Sequence, residues 1–195
     1  MTLLRSWLGP AALVACCLHV NPASAAPPGD WSVAVERLFG IVRTTIDDDD
    51  GISYSGTSVS LMSKVGGSTP YSSPRLAIDY LTGSSFTFGG ALGYQSNDGE
   101  GSGDSWLVAP RVGYFVRPSS SFGLWPRIGL TQVLFEDLDQ DATALTLELP
   151  LEFLVGGGVA IAVMPHADIG IGGSANNEDR TITELGLQFG LGAFF

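Results

Sequence analysis

From about residue 30 onward, apolar and polar residues alternate along the chain with a period of two, the repeat of a strand whose two faces meet different surroundings. The alternation is clearest at the C-terminus. There Leu185, Leu187, Phe189, Leu191, Ala193 and Phe195 share one face, while Glu184, Gly186, Gln188, Gly190 and Gly192 share the other. The same dyad sets Val159, Ile161, Val163, Ala167, Ile169 and Ile171 against Ala160, Ala162, Met164, His166 and Asp168. It also sets Leu145, Leu147, Leu149, Leu151 and Phe153 against Thr146, Glu148 and Glu152. Upstream, Trp106, Val108, Val112, Tyr114 and Val116 alternate with Leu107, Arg111, Gly113 and Phe115, and Leu124, Ile128 and Leu130 with Trp125, Arg127, Gly129 and Thr131. Phe86 to Tyr94, Leu76 to Tyr80 and a less regular stretch from Trp31 to Thr45 bring the count to about eight strands.

The connections alternate in length. Thr82 to Ser85, Arg117 to Ser121 and Val155 to Gly158 are short; Ile46 to Ser73, Ser96 to Ser105, Glu136 to Asp141 and Gly172 to Arg180 are long. An even number of strands with short turns at one end and long loops at the other is the plan of a bacterial membrane barrel. Ile52 to Lys64 is strand-like inside the longest loop and is expected to extend the barrel above the membrane. The predicted fold class is all-β: an antiparallel up-and-down transmembrane β-barrel of about eight strands.

Composition agrees. Charged residues make up 15% of the chain, well under the usual quarter, against 45% hydrophobic residues, yet the mature part has no apolar stretch near the 18 to 20 residues of a membrane helix. A soluble β-sandwich or lipocalin-like barrel also alternates. The difference is direction: a membrane barrel turns its apolar face outward and its charges inward. The chain ends on an aromatic at the close of an amphipathic strand, and Trp31, Tyr80, Phe86, Trp106, Phe122 and Trp125 fall near strand ends, as aromatic girdles would. Leu187, Phe189, Leu191 and the terminal Phe195 resemble the C-terminal insertion signal of outer-membrane β-barrel proteins, and the architecture resembles the small OmpA and OmpX type. That resemblance implies residence in the outer membrane of a Gram-negative cell, with assembly machinery that reads the C-terminal strand. Arg37-Leu38-Phe39-Gly40 departs from the pattern, because either phase turns a charge or several apolar residues the wrong way.

The first residues read as an export signal over 1–25, leaving 26–195 as the barrel domain. Arg5 precedes an apolar run from Leu8 to Val20, and Ala23-Ser24-Ala25 offers a small-residue cleavage site. Leu13-Val14-Ala15-Cys16 also resembles a lipobox, the rival reading. Both cysteines, Cys16 and Cys17, fall inside the signal, so the mature domain has no thiol for a disulfide or a thiolate metal site. The net charge of −11 argues against nucleic acid, whose phosphates demand a basic surface. Outer-membrane lipids and lipopolysaccharide are the expected partners.

On the inward face the pattern gathers Asp79, Glu148, Glu152, Asp168 and Glu184 against Arg75, Arg111 and Arg127, with His166 beside them. An eight-stranded barrel is about wide enough for side chains to fill it, and buried charges must be paired, so these residues are expected to form a salt-bridged plug. A narrow pore through the same residues is the alternative. His166 with Asp168 or Glu152 could serve as a general base in a lipid A-modifying enzyme, but no serine nucleophile stands in strand context beside it. No catalytic residue, cofactor or metal ligand is assigned. Asp137, Asp139 and Asp141 followed by Glu148 imitate an EF-hand spacing, but Ala142 replaces the turn glycine and the strand phase turns Glu148 inward. The run Asp47 to Asp50 is expected to be a solvated loop that holds divalent cations weakly.

Overall fold

The computed structural model describes residues 30–48, 51, 53–61, 70–95, 104–135, 141–175 and 178–195. The expected signal, the lipobox and the loop aspartates Asp49, Asp50, Asp137 and Asp139 lie outside them.

Eight antiparallel staves close into a ring. In chain order they comprise β1 (Trp31–Asp48), β3 (Arg75–Leu81), β4 (Phe86–Gln95), β5 (Ser105–Tyr114), β8 (Arg127–Phe135), β9 (Asp141–Glu148), β11 (Val159–Ala175) and β12 (Glu178–Phe194). Each pairs with its sequence neighbour in this series, and β12 closes on β1. Three short strands lengthen staves at the turn end: β6 (Val116–Ser119) continues β5, β7 (Phe122–Leu124) precedes β8, and β10 (Leu151–Gly156) follows β9. One more, β2 (Ser53–Leu61), pairs with the upper part of β1 from Phe39 to Asp47. It is the strand expected inside the longest loop. Both described chain ends lie at one end of the ring, with the turns that join β3 to β4, β6 to β7 and β10 to β11. At the other end Gly172 to Arg180 is a correction: expected as a long loop, it instead prolongs β11 and β12, which stay paired out to Ala175 and Glu178.

The direction of the side chains separates this barrel from a soluble one. Ile41 (58% exposed), Leu92 (58%) and Leu191 (52%) stand on the outer surface, whereas Asp168 and Glu184 are fully buried. In water such an arrangement would expose apolar area and bury charge, losing on both counts; in a bilayer the same arrangement satisfies both faces. The outer aromatics cluster near the ends, with Trp31 on Tyr80, Phe86 on Tyr114 and Phe122 near Phe153 toward the turns, and Tyr94 on Trp106 toward the loops. Trp125 is a correction to the expected girdle. It is 1% exposed and points inward, and its indole N–H donates to Thr87 Oγ1 at 2.9 Å. Its position follows from phase, since Trp125 shares the inner face with Arg127, and phase outranks a residue type's liking for the interface.

The irregular first strand resolves into a bulge. Val35 pairs with Leu191 and Phe39 with Phe189, so Glu36, Arg37 and Leu38 stand opposite the single Gly190. Two extra residues restore the original parity, and the outward row resumes at Phe39, which stacks on Phe189 at 4.6 Å. Arg37 takes a left-handed conformation (φ 56°), and both Glu36 and Arg37 are buried in the lumen.

Glycines on the inner face leave room for the long charged side chains of neighbouring staves. A Cβ on Gly89 would lie 2.6 Å from Asp79 Oδ1, and one on Gly129 would lie 2.9 Å from the Arg111 Cβ. Gly89→Val is therefore expected to destabilise the barrel by about 1–3 kcal/mol through overpacking. Gly56→Val, on β2 with nothing within 4 Å of its added Cβ, is expected to change stability little. Urea unfolding in lipid vesicles measures both; equal effects would contradict the packing described.

Candidate functional site

Eight staves converge on a lumen built in three levels. Toward the turns, Leu81, Phe115, Trp125, Ala160 and Phe194 form an apolar floor, with Phe115 against Trp125 at 5.5 Å and against Phe194 at 5.4 Å. Toward the loops, small residues of β3, β4, β5 and β9 (Ala77, Ala91, Ala109, Ala142, Ala144) leave space that Tyr71 fills. Between these levels lies a mesh of charge.

Four guanidinium groups hold that mesh. Arg111 donates to both Glu36 oxygens, at 2.7 and 2.9 Å, and through Nε to Asp79 Oδ1 at 2.9 Å. Arg127 reaches Glu36 at 2.8 Å and Glu148 at 3.0 Å, with its guanidinium 4.9 Å from the Trp125 ring centre. Arg75 pairs with Glu36 at 3.2 Å and with Glu148. Arg37 donates to Asp168 at 2.7 Å and to Glu148 at 3.1 Å. Glu36 and Glu148 thus each serve three or more arginines, and every one of these side chains is at most 4% exposed. Charge-assisted pairs of this kind are strong where water is excluded and costly when one member is removed.

Of the residues singled out from the pattern, Asp79, Arg111, Arg127, Glu148, His166, Asp168 and Glu184 are brought together. His166 Nε2 lies 3.2 Å from Glu184 Oε1 and 3.7 Å from Asp168 Oδ2. Thr146 donates to Asp168 at 2.6 Å. Glu152 is buried on the same inner face but joins no ion pair among the described residues. Pattern reading missed Glu36, which meets three arginines, and it set Arg37 aside as a misfit. The departure at Arg37 to Gly40 was itself the sign: a charge that fits neither phase marks a bulge that turns it inward.

The end of the longest connection is a further correction. Read as an external loop, it returns into the barrel as a single 3-10 turn, Pro70–Ser72, just before β3. Tyr71 is fully buried, and Ser72 and Ser73 nearly so. Arg37 Nη1 donates to the Tyr71 carbonyl at 2.5 Å, Gln188 Nε2 to the Ser72 carbonyl at 3.3 Å, and Ser73 Oγ to Gln95 Oε1 at 2.5 Å. The turn enters where β1 changes partner, from β3 at Glu36 to β2 at Phe39, which is also where the bulge lies. One arginine therefore ties the inserted turn to the charge mesh.

His166, Asp168 and Glu184 each bring one ligand atom within 4.8 Å of the others, a spacing a metal ion could use. Arg37 Nη1 sits 2.7 Å from Asp168 and 3.9 Å from Glu184, so a guanidinium already supplies positive charge there and a second cation would meet repulsion. Glu148 lies in the same mesh, at the far end of β9 from Asp141, which bonds Ser174 at 3.1 Å, so these two members of the EF-hand spacing are held apart. Leu187 and Leu191 on β12 and the terminal Phe195 just beyond it are exposed on the outer surface, and Phe189 stacks on Phe39 across the closing seam.

No family model and no curated protein matches the chain. Among solved structures it is similar to Neisserial surface protein A, at 16% identity and a TM-score of 0.53, over 86% of this chain and 98% of that one. It also aligns with the N-terminal β-barrel domain of Pseudomonas aeruginosa OprF (10% identity, TM-score 0.45, 84% and 98% covered) and with Ail, the attachment invasion locus protein of Yersinia pestis (12% identity, TM-score 0.41, 83% and 99% covered). The likeness to the Neisserial protein shows the fold, a small closed antiparallel β-barrel.

Removing one member of the mesh should expose its cost. Arg111→Ala leaves Glu36 and Asp79 short of their guanidinium in a buried setting, and is expected to lower the unfolding free energy by about 3–5 kcal/mol. Arg117→Ala, at the exposed turn end, should cost under about 1 kcal/mol. Urea titration in vesicles reads the difference, and equal costs would contradict the geometry.

Proposed function

We propose that the mature chain is a non-enzymatic barrel of the bacterial outer membrane. Its rigid, salt-bridged lumen carries no current, and it presents acidic loops for envelope integrity or surface contact. The observation that carries this reading is the continuity of the inner filling. An aromatic floor, a mesh of guanidinium and carboxylate groups and an inserted turn follow one another along the axis. A pore needs a wet path that ions can both enter and leave, and charges already spent on one another offer ions little.

Lipid chemistry at His166 is disfavoured by position. The imidazole faces Glu184 and Asp168 inside the wall, away from the ester bonds of the surrounding lipid. The loop side supports surface contact: Asp47 and Asp48, expected in a loop, close β1, the sequence follows them with Asp49 and Asp50, and it carries Glu136, Asp137 and Asp139 between β8 and β9. Such carboxylates suit weakly held divalent cations, which would also bridge the phosphates of lipopolysaccharide. The outward row Leu187, Phe189, Leu191 and Phe195 is the part of the chain that barrel-assembly machinery would read. Residues 1–25 would direct export and be removed.

Planar bilayers test the central point. Purified, folded protein is expected to give a flat current trace. Regular single-channel steps at neutral pH would contradict a plugged lumen and favour the narrow pore.

A further inference from the structure

The outer wall of the barrel is not evenly covered. At Pro110 in β5 it carries a groove of about 510 Å³, lined by Phe88, Pro110, Val112, Ile128, Leu130 and Leu145, with Gly89, Arg111 and Gly129 forming its floor. Two features of the sequence make the depression. In the outward row, Pro110 stands beside Gly90 of β4, so a flat ring and a bare backbone replace two projecting side chains. The β5–β8 pairing also lapses at Ala109 and Pro110, resuming at Val108 with Gln132 on one side and at Arg111 with Gly129 on the other. Proline has no N–H to give, and a closed barrel has no edge on which to place it. Arg111 turns its guanidinium inward to Glu36 and Asp79, so the face left to the groove is apolar.

We propose that this groove seats one acyl chain of a phospholipid from the leaflet on the turn side of the barrel. Pro110 lies four residues from Trp106 and four from Tyr114, the aromatic positions that bracket β5, which puts the groove within the apolar band. Its lining is displaced toward the turns: Phe88, Val112 and Ile128 lie on that side of the Pro110–Leu130 row. An occupant must come from the hydrocarbon phase, and the turn-side leaflet is the nearer source. Transfer from water contributes nothing here, because lipid is as apolar as leucine. The preference comes from packing: a rigid depression left empty forfeits dispersion contacts, and a flexible chain restores them.

This inference rests on the membrane reading above, and the test separates the two. The protein is reconstituted in vesicles containing phosphatidylethanolamine with a diazirine on its acyl chain, irradiated and digested, and the labelled peptides are mapped. Peptides carrying Phe88, Val112, Ile128 and Leu130 are expected to take several-fold more label than those carrying Ile161, Ile169, Leu187 and Leu191. Leu130→Trp, which fills the groove, should abolish that excess, while Ile169→Trp, on the far wall, should leave it. Even labelling around the barrel would overturn the proposal. So would a groove labelled preferentially by a lipid A analogue carrying the same group in its acyl chains, or by cross-links between two copies of the chain. Failure of the protein to enter the vesicles at all would overturn the membrane reading itself.

Discussion

Everything in this barrel depends on interlocking ten of its eleven buried acidic and basic side chains, with Glu152 buried beside them outside the ion pairs among the described residues. Glu36, Arg37, Arg75, Asp79, Arg111, Arg127, Glu148, His166, Asp168 and Glu184 are all buried. Separated, such groups would each cost several kcal/mol; interlocked, they satisfy one another at distances near 3 Å. The cluster dictates the shape of its container. Glycines such as Gly89 and Gly129 stand where neighbouring staves would otherwise collide with Asp79 and Arg111. The wall must close, because an open edge would admit water to the charges and leave backbone groups unpaired in lipid.

The bulge in β1 shows how local strain and long-range pairing support one another. A non-glycine residue at φ 56° costs on the order of 1–3 kcal/mol. Arg37 keeps that conformation because its guanidinium then meets Asp168 on β11, Glu148 on β9 and the backbone of the inserted turn at Tyr71. Strand register, lumen electrostatics and the course of the longest connection thus meet in one side chain. The turn-end floor of Phe115, Trp125 and Phe194 and the loop-end cluster around Tyr71 flank the mesh on either side.

Much of this was legible from alternation alone. Parity along β5, β8, β9, β11 and β12 assigns Arg111, Arg127, Glu148, His166, Asp168 and Glu184 to the inside, where they lie, and places Leu187 and Leu191 outside. Glu36 escaped although it keeps the inward phase of Ser32 and Ala34; the other features that escaped break the period. The bulge at Glu36 to Leu38 adds two residues, and a two-residue repeat registers that as disorder in the pattern rather than as a second inward charge. Trp125 was misread because residue type was weighed above phase. Tyr71 was invisible because an inserted turn has no period, and the side chains that hold the turn, Arg37 at the Tyr71 carbonyl and Gln188 at the Ser72 carbonyl, are distant in sequence.

The measurement closest to the central claim is a double-mutant cycle on Arg37 and Asp168, read as urea unfolding free energy of the protein folded in lipid vesicles. Pairing across the lumen predicts that Arg37→Ala and Asp168→Asn are each costly. Together they should cost well short of the sum, with a coupling on the order of 1–3 kcal/mol. Additive losses would mean that the two groups do not depend on each other, and the lumen would then be organised by something other than the ion pairs described.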